Sequence, residues 1–183
     1  MTSCSDRSRM TSRRLSVERL SNAHDRSQFS CGNADLDRYL REQARQDLRR
    51  HLSAVFELFD SANTVVAGFY TLSACQIDPI SLPPEMAKRL PRRPVPATLI
   101  GRFALDLRYR GQGLEGSFLT NALTRAVGAS REIGAMAVVV DAKDDQARGF
   151  YERYKFQRFA DNPYRLFLPM DDAERVACVV ESR

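Results

Sequence analysis

The spacing of apolar and polar positions changes several times along this chain, and each change marks an element. Residues 15–20 alternate as a short strand does. Phe29-Ser30-Cys31-Gly32-Asn33 reads as a turn. Leu36, Tyr39, Leu40, Ala44 and Leu48 then recur at helical spacing. Asn33 is a candidate N-cap for that helix, and Asp35 and Asp37 suit its positive dipole end. Arg38, Arg41, Arg45 and Arg49 fall on the other face. Two apolar runs, 53–60 and 65–73, flank the polar Ser61-Ala62-Asn63-Thr64, as in a strand hairpin. Residues 78–96 hold six of the eight prolines, which predicts a loop with one helical turn near 85–90.

The second half is more regular. Residues 98–106 read as a strand, and the glycine-bearing 108–113 as a turn. Leu114, Phe118, Leu119, Ala122, Leu123, Ala126 and Val127 form one apolar stripe of a helix over 114–129. Residues 135–140 are continuously apolar, as in a strand buried on both faces. Asp144 caps a further helix carrying Ala147, Phe150, Tyr151 and Tyr154, and short strands follow at 156–159 and 165–168. Meandering strands followed by strand–helix–strand–helix–strand predict one α/β domain with a mixed sheet over 15–175. Residues 1–14, rich in Ser and Arg, read as a disordered tail in which Met10 is an alternative start, and 176–183 as a C-terminal tail.

Composition narrows the classes. A chain of 183 residues suffices for one full core. No apolar run reaches the roughly 20 residues of a membrane helix, and no secretory signal is present, so a cytoplasmic protein is expected. Four scattered cysteines, without a Cys/His cluster, predict free thiols and no metal site. Net charge is +5, and 25 of the 28 basic residues are Arg. Arginine's forked donors suit phosphate, although this net charge by itself is weak evidence for a polyanion partner.

Candidate chemistry lies where strand meets helix, at Asp106-Leu-Arg108-Tyr-Arg110-Gly111-Gln112-Gly113-Leu114. Glycines let successive N–H groups converge, and the following helix adds its positive end; the result is a pyrophosphate cradle. Arg108 and Arg110 add charge. The alternative is an ordinary strand–helix turn that happens to contain glycine. It is neither a Walker loop nor a dinucleotide fingerprint.

Arg-Gly-Gln-Gly-Leu, opening a helix after a strand ending in Leu-Asp, resembles the acetyl-CoA loop of the GNAT acetyltransferases. Asp144-x-x-Ala147-x-x-Phe150-Tyr151-Glu-x-Tyr-x-Phe156 is similar to that family's late helix beside the pantetheine arm. Phe29-x-Cys31-Gly32-Asn33-x-x-Leu36-Asp37-x-Tyr39-Leu40, and the Pro-rich lead into Pro96-Ala-Thr-Leu-Ile-Gly101-Arg102, narrow the resemblance to the acetyltransferase toxins of toxin–antitoxin modules. It covers about residues 15–170.

The resemblance implies a mixed, mostly antiparallel sheet with splayed parallel strands at the acetyl-CoA site, flanked by helices. It implies acetyl transfer to the α-amine of aminoacyl-tRNA, which blocks translation. A ribbon–helix–helix antitoxin from the same operon and a homodimer are the expected partners. Carried over, Tyr151 is the general acid. The cofactor contacts are Phe103, Ala104, Leu105, Arg108, Arg110, Gly111, Gln112, Gly113, Leu114, Glu115, Asp144, Ala147 and Phe150. Arg89, Arg92 and Arg93 are the expected tRNA contacts, with the helical arginines next, unless those form only a solvated face.

No carboxylate or His offers itself as a base. An α-amine titrates near 8, far below lysine, so an aminoacyl ester needs little help in losing its proton. One departure stands out: with the family's pattern read from Arg110, Glu115 falls where a small residue is expected, while the alternative register Arg108-x-x-Gly111-x-Gly113 fits by letter but sets the helix start two residues early. Facing the pyrophosphate, Glu115 weakens acetyl-CoA binding; pointing outward, it is tolerated. Competing readings are an acetyltransferase acting on a small amine or protein N-terminus, and a silent module or a form inactivated by Glu115.

Overall fold

The computed structural model describes residues 15–181; the predicted N-terminal tail lies outside them. Seven strands form one sheet, β1 (Leu15–Arg19), β2 (Ala54–Asp60), β3 (Val65–Ile77), β4 (Val95–Leu105), β5 (Ala137–Asp141), β6 (Gln157–Arg158) and β7 (Arg165–Pro169). Their spatial order is β1-β2-β3-β4-β5-β7-β6. Every neighbouring pair is antiparallel except β4 and β5. The sheet is therefore mixed, as expected.

Helices α1 (Ala34–Arg38) and α2 (Ala44–Arg49) are joined by a π-helical turn, Tyr39–Gln43. Asn33 caps the start, its side-chain oxygen accepting from the N–H groups of Asp35 and Leu36. The extra residue of the π turn sits where Tyr39 and Leu40 are buried. A short α3 (Pro84–Ala87) lies in the Pro-rich loop. Next come α4 (Leu114–Ile133), α5 (Asp145–Arg153) and α6 (Met170–Glu181). The last departs from the sequence reading. In place of a tail from 176, the helix runs through Glu181 and buries Ala173 and Ala177. Acidic residues separate its apolar positions, which hides its period from a sequence scan.

Three apolar clusters cover the sheet. The largest joins α4 and α6 to Phe56, Tyr70, Leu105, Val138, Val140, Leu166 and Leu168. On the other face, Phe29, Tyr39, Leu40 and Ala44 pack on Val55, Val66, Phe69 and Ala104. Farther along that face the Pro-rich loop buries Leu82 against Ile77, Val139 and Phe167. Alternation along β4 divides its side chains: Phe103 and Leu105 face α4, Ala104 faces α1.

Candidate active site

Strands β4 and β5 pair over only three residues, Thr98–Ile100 with Val138–Val140. The β3–β4 register skips at this point, from Leu72↔Ile100 to Thr71↔Arg102, so Gly101 is the extra residue of a bulge. The Thr71 hydroxyl accepts the Arg102 N–H at 3.0 Å. A Cβ on residue 101 would sit 3.2 Å from that oxygen, which favours glycine. The bulge bends β4 away from β5. Beyond Ile100, β4 pairs only with β3 among the described residues, so its other edge faces a groove of about 1000 Å³.

The groove crosses the sheet through this opening. On the α4 side it is lined by Phe103, Gly113, Glu115, Gly116, Phe150, Tyr151 and Tyr154, and on the α1 side by Cys31, Asn33, Leu36 and Arg102. Phe150 stacks on Phe103, centroids 6.0 Å apart, and holds α5 beside the open strand. Asp144 caps α5 by accepting the Ala147 N–H at 2.7 Å.

The loop before α4 is fixed by buried carboxylates. Asp106, 1% exposed, accepts from the Ser30 N–H at 3.1 Å and from Arg108 through Nε and Nη2, each at 2.8 Å. Burial alone would raise the Asp106 carboxyl, but these hydrogen bonds hold it below the usual carboxylate range. Asp60, fully buried, accepts the Tyr109 hydroxyl at 2.7 Å and the Asn63 amide at 2.7 Å. Its carboxyl too lies low, hydrogen bonds outweighing burial. Arg110 donates to the Cys31 carbonyl.

Gly111 and Gly113 have φ of 69° and 75°, with nothing near enough to obstruct a Cβ, so glycine serves the backbone there. The N–H groups of this left-handed turn and of the first turn of the 20-residue α4 could together hold an anion, as a cradle. Glu115 lies in it. Its Oε1 accepts the Gly111 N–H at 3.2 Å, occupying a donor that a phosphate oxygen would use. Close approach falls one residue later: a Cβ on Gly116 would come within 2.2 Å of the Tyr154 hydroxyl.

Tyr151 is 7% exposed, and its hydroxyl has no hydrogen-bond partner among the described residues. Burial raises its phenol well above the ordinary value, and the Asp141 carboxylate adds to that. It stays protonated through neutral pH and can donate. Burial also pushes the nearby Cys31 thiol up to about 11, so this groove residue is a neutral thiol.

The expected site residues divide in the structure. Phe103, Ala104, Leu105, Arg110, Gly113, Glu115, Asp144, Ala147, Phe150 and Tyr151 line one groove. Gly111, Gln112 and Leu114 belong to the same loop but not to its lining. Arg108 is not among the groove's lining residues: its guanidinium pairs with Asp106 and anchors the loop. Arg89, Arg92 and Arg93 lie outside the groove, on the Pro-rich loop. Arg102, Lys143, Arg153 and Tyr154 line it and were missed. Strand parity would have put Arg102 opposite Phe103, but only the bulge makes its position readable. Among the described residues no cluster could hold a metal and no helix is long and apolar enough to cross a membrane.

Known proteins resemble this chain in sequence and fold. The model of the FR47-like protein family matches residues 81–166. The tRNA-acetylating toxin of Mycobacterium tuberculosis is 35% identical over 156 residues, 85% of this chain and 92% of the relative. The crystal structure of a tyrosine-to-phenylalanine mutant of KacT superposes with TM-score 0.84 at 25% identity, covering 88% of this chain and 98% of KacT. AtaT complexed with acetyl-methionyl-tRNAfMet superposes with TM-score 0.82 at 26% identity, covering 88% and 98%. At 35% identity over most of both chains, the chain belongs to the family of GNAT-related tRNA-acetylating toxins.

Proposed function

We propose that the protein transfers acetyl from acetyl-CoA to the α-amino group of an aminoacyl-tRNA. The observation that carries this reading is the groove through the sheet: an anion cradle and a buried, uncommitted phenol on one side, and access for an acceptor on the other. The residues present fit acetyl-CoA apart from Glu115. Gly111, Gly113 and the start of α4 would hold its pyrophosphate; the open edge at Phe103, Ala104 and Leu105, with Asp144, Ala147 and Phe150, would hold the pantetheine arm. When bound, it supplies an activated acetyl thioester.

The chain's own groups do the rest. Backbone N–H groups on the open β4 edge polarise the carbonyl under attack. The neutral α-amine forms the new N–C bond as the C–S bond breaks. Tyr151 gives its hydroxyl proton to the departing sulfur and recovers one from the amine through solvent. Arg89, Arg92 and Arg93 contact tRNA phosphates. A ribbon–helix–helix antitoxin from the same operon neutralises the toxin, which acts as a homodimer. Incubating the protein with labelled acetyl-CoA and total charged tRNA tests the reaction. Label in the tRNA fraction is expected. Bound acetyl-CoA with no label in tRNA would overturn it.

A further inference from the structure

Arg102 is the most conspicuous groove residue for which the family resemblance supplied no role. Its guanidinium carbon lies over the Tyr39 ring, 3.6 Å from the centroid. That ring is itself fixed: Tyr39 is 2% exposed, and its hydroxyl donates to Asp47 at 3.0 Å. No carboxylate pairs with Arg102 among the described residues. The acidic groups lining the same groove are all engaged elsewhere. Asp35 pairs with Arg38 at 2.8 Å, Asp141 with Arg165 at 3.4 Å, and Glu115 accepts from Gly111. Asp144 caps α5. A half-buried guanidinium, pre-oriented by an aromatic face and left without a counter-ion, calls for an anionic ligand.

Position decides which ligand. The bulge at Gly101 turns Arg102 to the α1 face, opposite Phe103 and Phe150, while the glycine cradle and Tyr151 lie on the α4 side. The anion that Arg102 awaits therefore belongs to the acceptor, not to the acetyl donor. An amino acid esterified to RNA carries a phosphodiester one nucleotide from its ester. We infer that Arg102 binds the phosphate nearest the aminoacylated 3′ end and so positions the α-amine at the opening between β4 and β5. This rests on the proposed reaction only for the identity of the acceptor. Arg102 is a positioning residue; its guanidinium need not touch the reacting atoms.

Two readouts separate the inference from that reaction. The first is the affinity of the protein for uncharged tRNA, measured across salt concentrations for the parent, Arg102→Gln and Arg102→Lys. Arg102→Gln should bind about 10- to 100-fold more weakly and lower the salt slope by about one. Arg102→Lys, which keeps the charge but not the fork, should lose less. Acetyl-CoA affinity and thermal midpoint should stay close to the parent's. The second readout is turnover. The KM for charged tRNA should rise with little change in kcat, and a small amino-acid methyl ester, having no phosphate, should be acetylated equally by parent and variant. Unchanged tRNA affinity and salt slope in Arg102→Gln would overturn the inference and leave Arg102 a packing residue on Tyr39. A parent that binds tRNA through Arg102 yet never acetylates it would overturn the proposed reaction alone.

Discussion

Glu115→Gln removes one charge from the cradle while keeping the side chain's size. The carboxylate already holds the Gly111 N–H at 3.2 Å, so a pyrophosphate using that donor must approach within about 4 Å of it. Two unit charges at about 4 Å repel by ~1 kcal/mol in water and ~4 kcal/mol at an effective dielectric near 20. Glu115 is only partly buried, which favours the lower half of that range, roughly 1–2 kcal/mol. At about 1.4 kcal/mol per tenfold, acetyl-CoA should bind Glu115→Gln about 5- to 30-fold more tightly than the parent. Glu115→Gly should equal or exceed this, since it also frees the Gly111 N–H, at up to ~1 kcal/mol of helix stability. Calorimetric titration with acetyl-CoA at low and high salt measures the effect. The gain should shrink as salt screens the pair. Affinities within twofold of each other at low salt would refute the reasoning and mean that Glu115 swings clear of the bound phosphates.

Three further outcomes follow from the same geometry. Tyr151→Phe should lower kcat about 10²- to 10⁴-fold with little change in acetyl-CoA affinity, the loss expected of a general acid; steady-state rates on charged tRNA check it. Tyr109→Phe strips a donor from the buried Asp60 and should cost roughly 1–3 kcal/mol in urea denaturation at neutral pH. Because the Asp60 carboxyl lies below its unfolded value, its stabilisation is present above that value and lost as pH falls. The cost of Tyr109→Phe should therefore be smaller at pH 3 than at pH 7. Replacing Arg92 and Arg93 together by Gln should weaken use of charged tRNA and lower its salt slope while leaving acetyl-CoA titrations unchanged; an unchanged slope would remove the Pro-rich loop from the tRNA surface.

Much of the fold was legible because local signals were strong. The apolar stripe of α4, the continuous run of β5 and the hairpin of β2 and β3 each carry their own period or turn. The glycine turn before α4 was legible for a similar reason: Gly111 and Gly113 adopt left-handed backbone that other residues avoid. The C-terminal helix α6 was missed because its helical pattern is diluted by acidic residues, and it is stabilised by contact with α4, which no local window contains. The π turn at Tyr39–Gln43 escaped for the same reason, since it serves the burial of Tyr39 and Leu40 against a distant strand.

The sequence by itself determined most of the elements, their order, and which residue types meet at the strand–helix turn, because those depend on neighbours within a few positions. Only the tertiary structure decided how they are used. It turned Arg108 inward to Asp106 and placed Glu115 on a cradle N–H. It also left Arg102 unpaired on the far side of the opening. The place of Arg102 rests on a one-residue bulge, and the strand–helix loop is held by contacts between distant segments, such as Ser30 and Asp106, 76 positions apart; geometry of that kind has no signature in a local pattern.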